Sequence, residues 1–232
     1  LSAEQRQAGL EAVVFDLDGV LIDSESAWDR ARRNVVAEAG GRWREGATVA
    51  MIGMSSPEWS RYLRDRLGVA LAPEEINDRV VAQLLASYQR ELPLLPGAVA
   101  AVRRIAGVWP LGLASSANRP VIDAVLALSG LAVCFSATVS AEEVAHGKPA
   151  PDVYLAAVAE LGVQAARAVA VEDSSNGLRA AAAAGMVVIA APNREFPPAP
   201  GALRLAAFTV ASLDELTPAA IRALARKSRV HR

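Results

Sequence analysis

The sequence predicts an α/β fold, a doubly wound parallel sheet with an inserted all-helical segment. Three observations predict it. Short apolar runs alternate with helix-length stretches along most of the chain, several of those runs end in polar or acidic residues, and one long interval, 24–92, holds no such run at all. Alternation of this kind is the pattern of parallel strands covered on both faces by helices.

The elements follow in order. "AVVFD" (12–16), "PLGLAS" (110–115), "SATVS" (136–140), "AVAVED" (168–173) and "MVVIAA" (186–191) read as buried strands. Between them stand "GAVAAVRRIAG", "NRPVIDAVLALSG", "PDVYLAAVAELG" and "SSNGLRAAAAAG", most opening with Pro or a capping residue and closing with Gly. The result is a Rossmann-like core, in which ligands bind at the carboxyl ends of the strands. Residues 24–92 read instead as amphipathic helices, in "SAWDRARRNVVAEAG", "SPEWSRYLRDRLG" and "PEEINDRVVAQLLASYQREL". That is too long for a loop inside a compact domain. "LPLLPG" (92–97) reads as the return hinge, so residues 1–23 and 93–232 form the core and 24–92 a helical cap over its carboxyl edge. Asp23 and Ser24 are placed to cap the first cap helix.

Composition narrows the function. The chain has 232 residues, is 53% hydrophobic and carries a formal net charge of −1, which gives no global attraction to nucleic acid or an anionic membrane. One cysteine, Cys134, excludes an intramolecular disulfide framework and suits a reducing compartment. No signal-peptide pattern and no bilayer-length apolar run is found, so a cytoplasmic protein is expected, acting as a monomer. Two histidines, His146 and His231, leave almost no base for a Ser-His-Asp mechanism. Of 24 basic residues only Lys148 and Lys227 are lysine, and Lys227 lies in the C-terminal tail. Position 148 therefore reads as one that wants a compact ammonium rather than a planar guanidinium.

The predicted strand ends bring distant polar residues to one edge. These are Asp16 and Asp18, then Ser115 and Ser116, then Lys148 from the loop "HGKPAP", then Glu172 and Asp173. Four carboxylates so close cannot all ionise unless a cation joins them, and a hard divalent ion such as Mg2+ is the fitting one. Asp16 and Asp18, two apart at a strand tip with Gly19 to turn the chain, can point into one cavity. One carboxylate can then act as nucleophile while the other exchanges protons with the leaving group.

"DLDGVLIDS", "ASS", "KPAPDVY" and "EDSSNG" stand in the order of the four motifs of the haloacid dehalogenase-like hydrolases, and the chain resembles that family over nearly its whole length. The insertion after the first motif resembles the cap of the β-phosphoglucomutase and sugar-phosphate phosphatase branch. The resemblance implies that Asp16 takes the phosphoryl group as an aspartyl-phosphate and that Asp18 serves as general acid, then base. It implies that Ser115 binds a phosphoryl oxygen and that backbone N–H groups near Leu17, Asp18 and Ser116 complete an anion cradle. Lys148 would neutralise nucleophile and phosphate. Asp16, the backbone carbonyl of Asp18, Glu172 and Asp173 would hold Mg2+.

The expected activity is a magnesium-dependent phosphatase of small phosphorylated metabolites, sugar phosphates foremost. The first rival is a β-phosphoglucomutase-like mutase. That branch carries a His in the first cap helix and a basic residue after the cap turn, where this chain has Trp28 and Ser56. A dehalogenase would need neither Asp18 nor a metal, and a phosphonatase would want a cap lysine. A rival of another class is a phospho-acceptor signalling or binding module without turnover, which lacks both a helical cap and a second aspartate serving as acid.

Overall fold

The computed structural model describes residues 9–51, 54–193 and 197–227. Among these, six parallel strands stand in the order β3-β2-β1-β4-β5-β6. They are β1 (Ala12–Phe15), β2 (Leu111–Ser115), β3 (Phe135–Ser140), β4 (Ala168–Glu172), β5 (Val187–Ala190) and β6 (Phe208–Thr209). The first five are the expected runs, most of them trimmed by a residue or two. β6 was not expected: it is two exposed residues pairing with Ile189 and Ala190 at the sheet edge.

Strand composition explains the two-faced core. Val13, Phe15, Val169 and Val171 point to one face, whereas Ala12, Val14, Ala168 and Ala170 point to the other. Residues two apart share a face of a strand, and here both faces are dry. The first face is covered by α5 (Ala98–Ala106), α6 (Arg119–Ser129) and α10 (Pro218–Lys227). The second, rich in alanine, is covered by α7 (Asp152–Glu160), α8 (Ser175–Ala183) and the single turn α9 (Pro200–Leu203). The sheet order reverses at β1, with β2 on one side and β4 on the other, and a crevice opens at that reversal beyond the strand ends.

Residues 24–92 contain four helices and, among the described residues, no strand: α1 (Glu25–Glu38), α2 (Ala47–Met51), α3 (Ser56–Leu67) and α4 (Pro73–Arg90). α1 and α3 both pack on α4 and bury Trp28, Val35, Trp59, Leu63, Ile76, Val80 and Leu84. The short α2 was not expected. α3 starts one residue earlier than the position of Pro57 suggests, with the Glu58 carboxylate accepting from both the N–H and the hydroxyl of Ser55 at 2.7 Å. The chain segments that enter and leave this bundle run side by side. Asp23 N–H donates to Pro93 O at 2.8 Å and Leu95 N–H to Leu21 O at 3.0 Å, around an antiparallel bridge of Ile22 with Leu94. No helix among the described residues is long and apolar enough to cross a membrane.

Candidate active site

β1 delivers Asp16. Its backbone N–H still donates to Val171 O at 3.0 Å, so the residue is fixed as a last rung of the β1–β4 ladder. Its side chain is buried, and Lys148 Nζ donates to Asp16 Oδ1 at 2.8 Å and to Glu172 Oε1 at 2.6 Å. Burial, opposed by Lys148 and aided by repulsion from Glu172 and Asp18, pushes the Asp16 carboxyl up to about 8. Burial alone would lower the lysine, but Asp16 and Glu172 outweigh it and hold Lys148 above its ordinary value.

Glu172, at the end of β4, is fully buried and surrounded by donors. Oε1 accepts from Lys148 and from the Tyr154 hydroxyl at 2.9 Å. Oε2 accepts from the N–H groups of Asp173 (2.9 Å) and Ser174 (3.1 Å) and from Ser174 Oγ (3.2 Å). This carboxylate sits directly on α8: a side chain at Gly177 would overlap it. Gly19 has the same relation to Asp173, whose carboxylate fills the place of a Cβ, and its φ of +77° suits glycine in any case.

Carboxylate oxygens of Asp16, Glu172 and Asp173 lie within 4.8 Å of one another. Burial raises Asp173 well above the usual carboxylate range, and repulsion from Glu172 and Asp16 raises it further. A buried all-oxygen group that resists ionising together is a fit for a hard divalent cation. Asp16 and Asp173 face the cleft directly, whereas Glu172 lies behind them with both oxygens already engaged by donors.

Asp18 stands in a different environment. Its Oδ1 accepts from Ser24 Oγ and from Trp28 Nε1 at 3.1 Å, and Ser115 Oγ lies 3.4 Å from Oδ2. Ser24 thus gives its hydroxyl to Asp18, not to the start of α1, where no side-chain cap forms. Asp23 is exposed. Ser115 is fully buried and accepts from Ala117 N–H at 3.0 Å, while Ser116 reaches the cleft wall.

The cleft has a volume of about 400 Å³. Asp16, Asp18, Ser116, Lys148 and Asp173 line its floor. Glu25, Trp28, Arg32, Met54, Ser56 and Trp59 from the helical segment line its roof. Ser56 Oγ also reaches across to the core, donating to Asn118 Oδ1 at 3.0 Å. His146 is exposed and pairs with Asp152. Three groups escaped the reading of the sequence: Trp28 as a donor to Asp18, Tyr154 as a donor to Glu172, and Arg32. For Trp28 and Arg32 a signal existed, since Glu25, Trp28 and Arg32 fall on one face of α1 at helical spacing.

A haloacid dehalogenase-like hydrolase family model matches residues 10–185. Hexitol phosphatase B of Escherichia coli (strain K12) is 38% identical over 214 residues, covering 89% of this chain and 94% of that protein. Fructose-1-phosphate phosphatase YqaB of the same organism is 33% identical over 187 residues, covering 78% of this chain and 95% of its own. Among solved structures, CbbY from Rhodobacter sphaeroides in complex with phosphate superposes with a TM-score of 0.81 at 30% identity, covering 91% of this chain and 99% of that one. With the family model spanning most of the chain and these relatives aligned nearly end to end, the chain belongs to the haloacid dehalogenase-like hydrolases.

Proposed function

We propose that the protein is a magnesium-dependent phosphatase of sugar or sugar-alcohol monophosphates, working through an aspartyl-phosphate on Asp16, with residues 24–92 serving as the cap. One observation carries the reading: two aspartates face one cleft in opposite settings. Asp16 is buried against an ammonium, and Asp18 is held by neutral donors. Groups pushed into different environments take different roles. The names of the relatives, a hexitol phosphatase and a fructose-1-phosphate phosphatase, supply the substrate class.

In this reading an Asp16 oxygen attacks phosphorus in line with the ester oxygen. Lys148 stays on Asp16 and the phosphoryl group, offsetting their mutual charge. Ser116 and backbone N–H groups at the strand ends receive phosphoryl oxygens, and so does the Ser115 hydroxyl, which its long contact to Asp18 leaves free to turn. Asp18 protonates the departing alkoxide. It then takes a proton from the water that attacks phosphorus in the aspartyl-phosphate, so that Asp16 is released and phosphate leaves. Asp16, the Asp18 carbonyl and Asp173, with Glu172 behind them, would hold Mg2+, which when bound supplies charge stabilisation to the transferring phosphoryl group. Glu172 also positions Lys148. The lone Cys134 fits work in the cytoplasm.

The test is phosphate release from a panel of sugar and polyol phosphates with Mg2+, run beside Asp16→Asn. Turnover of polyol or sugar monophosphates that falls to background in the variant is expected. Isomerisation of a sugar phosphate much faster than phosphate release would overturn the reading in favour of a mutase. Absence of any turnover with Mg2+ would favour a binding module.

A further inference from the structure

Arg32 is the roof residue that the reaction above does not use. Its side chain is buried, 7% exposed, yet it lines the cleft. Its guanidinium carbon lies 5.1 Å from the ring centroids of both Trp28 and Trp59, which themselves stand 6.0 Å apart, so it rests against the two indoles from one side. Nε is buried without a hydrogen-bond partner, and no carboxylate lies within ion-pair distance among the described residues. An unpaired buried charge is among the more costly features a fold can carry. Burial lowers this guanidinium to about 10, with Glu25, Asp18 and Asp29 opposing, so it stays charged at neutral pH. A rigid cation with unused donors, aimed into a substrate cleft, is built to meet oxygen atoms of a ligand.

The neighbouring charges say which oxygens. Glu25, two turns before Arg32 on α1, lines the same roof, and Arg32 is the one cationic residue of the helical segment there among the described residues. Roof charge therefore sums to zero, and Asp18 adds a carboxylate below. A second phosphate would meet one guanidinium and two carboxylates. A chain of hydroxyls would meet donors from Arg32 and an acceptor in Glu25.

We propose that Arg32, with Glu25, is the specificity-determining pair that reads the polyhydroxyl tail of a monophosphate substrate, as the juxtaposition of an unpartnered guanidinium and a carboxylate in one roof indicates. This rests on the phosphatase reading above and deepens it.

The test measures kcat and KM of the full chain with Mg2+ for hexitol 6-phosphate, glycerol 3-phosphate, fructose 1,6-bisphosphate and p-nitrophenyl phosphate, in wild type, Arg32→Met and Arg32→Lys. Loss of a charged hydrogen bond to substrate should lower kcat/KM for the hexitol phosphate about 10- to 100-fold, mainly through KM. p-Nitrophenyl phosphate, which has no hydroxyl tail, should change by less than about threefold, and Arg32→Lys should recover part of the hexitol loss. Equal losses on both substrates would assign Arg32 to lid packing and overturn the proposal, as would unchanged hexitol kinetics. Should Arg32→Met fail to fold, wild type alone decides. Hexitol phosphate is expected to exceed glycerol phosphate in kcat/KM by about tenfold or more, and equal values refute the inference. Preference for the bisphosphate refutes the neutral-tail assignment. A wild type that leaves p-nitrophenyl phosphate intact overturns the phosphatase reading itself, whereas an active wild type with no Arg32 effect overturns only this inference.

Discussion

Lys148→Met should destabilise the protein far more than a surface lysine does, and Glu172→Gln added to it should give much of that stability back. Lys148 Nζ lies 2.8 Å from Asp16 and 2.6 Å from Glu172, with its side chain 3% exposed and that of Glu172 fully buried. At an effective dielectric of about 20, each contact is worth about 6 kcal/mol before desolvation is counted. Breaking such a buried pair by removing one partner typically costs about 3–5 kcal/mol net, a fall in Tm of about 6–20 °C for a chain of this size. Asp16, already raised, can take a proton, so the uncompensated charge falls on Glu172. The amide introduced by Glu172→Gln removes it. Its carbonyl can still accept from the Asp173 and Ser174 donors, and its NH2 can turn to the Tyr154 oxygen. The double variant should therefore be more stable than additivity predicts, by about 1.5 kcal/mol or more. Urea unfolding of the four proteins in chelator measures this, and phosphatase assays with Mg2+ should find both Lys148→Met proteins at background. Additivity within about 0.5 kcal/mol, or a Lys148→Met protein within about 1 kcal/mol of wild type, would refute the reasoning.

Chelation by EDTA should abolish turnover and Mg2+ restore it, and full activity in chelator would remove the metal from the Asp16, Glu172 and Asp173 cluster. Lys148→Arg should be strongly impaired although the charge is kept, because a planar fork cannot occupy an enclosed site shaped for one nitrogen; wild-type kinetics would show otherwise. Gly177→Ala should cost about 1–3 kcal/mol or more by pressing a methyl into the Glu172 carboxylate, and an unchanged urea midpoint would contradict that packing. Asp18→Asn should slow polyol phosphates much more than p-nitrophenyl phosphate, whose leaving group needs little protonation, and Trp28→Phe should show the same selectivity more weakly. Equal losses on both substrates would count against Asp18 as the acid.

The parts of the fold that the sequence makes legible are those whose signal is local and repeated. β1, and β4 as far as Glu172, read as strands because their residues are apolar at every position, and they are buried on both faces for that reason. β6 has two exposed residues and exists only through its pairing with β5, so no run announces it. The five-residue α2 lies below the length at which periodicity carries information. In the site, Asp16 and Asp173 could be assembled from strand ends alone, since the topology of a parallel sheet forces those ends together, and Lys148 from the loop that follows β3 on the same edge. Ser24 could not. Its position before a helix satisfies the local rule for an N-cap, and only the tertiary approach of Asp18 shows the hydroxyl engaged elsewhere. Arg32 was missed for another reason: a helix rich in arginine gives each one the look of a solvated charge, and its shared face with Glu25 and Trp28 does not show that it rests against two indoles.

The two aspartates are anchored to different parts of the molecule, which links the helical segment 24–92, the proposed cap, to the chemistry at Asp18. Asp16 is held by Lys148 and by the β4 backbone, all from the sheet core. Two of the donors to Asp18, Ser24 and Trp28, come from the start of α1, and only the longest contact, Ser115, comes from the core. Displacement of α1 would leave Asp16, the proposed nucleophile, in place while freeing Asp18, the proposed acid, from its orienting bonds. A cleft opened in that way could still accept a phosphoryl group from a good leaving group but would protonate a poor one badly. Because Arg32 and Glu25 lie on that same helix, a tail that engaged them would also hold Ser24 and Trp28 against Asp18. Binding the remote end of the substrate and aiming the proton at its ester oxygen are then one event, the arrangement in which binding energy from non-reacting groups is expressed in the transition state.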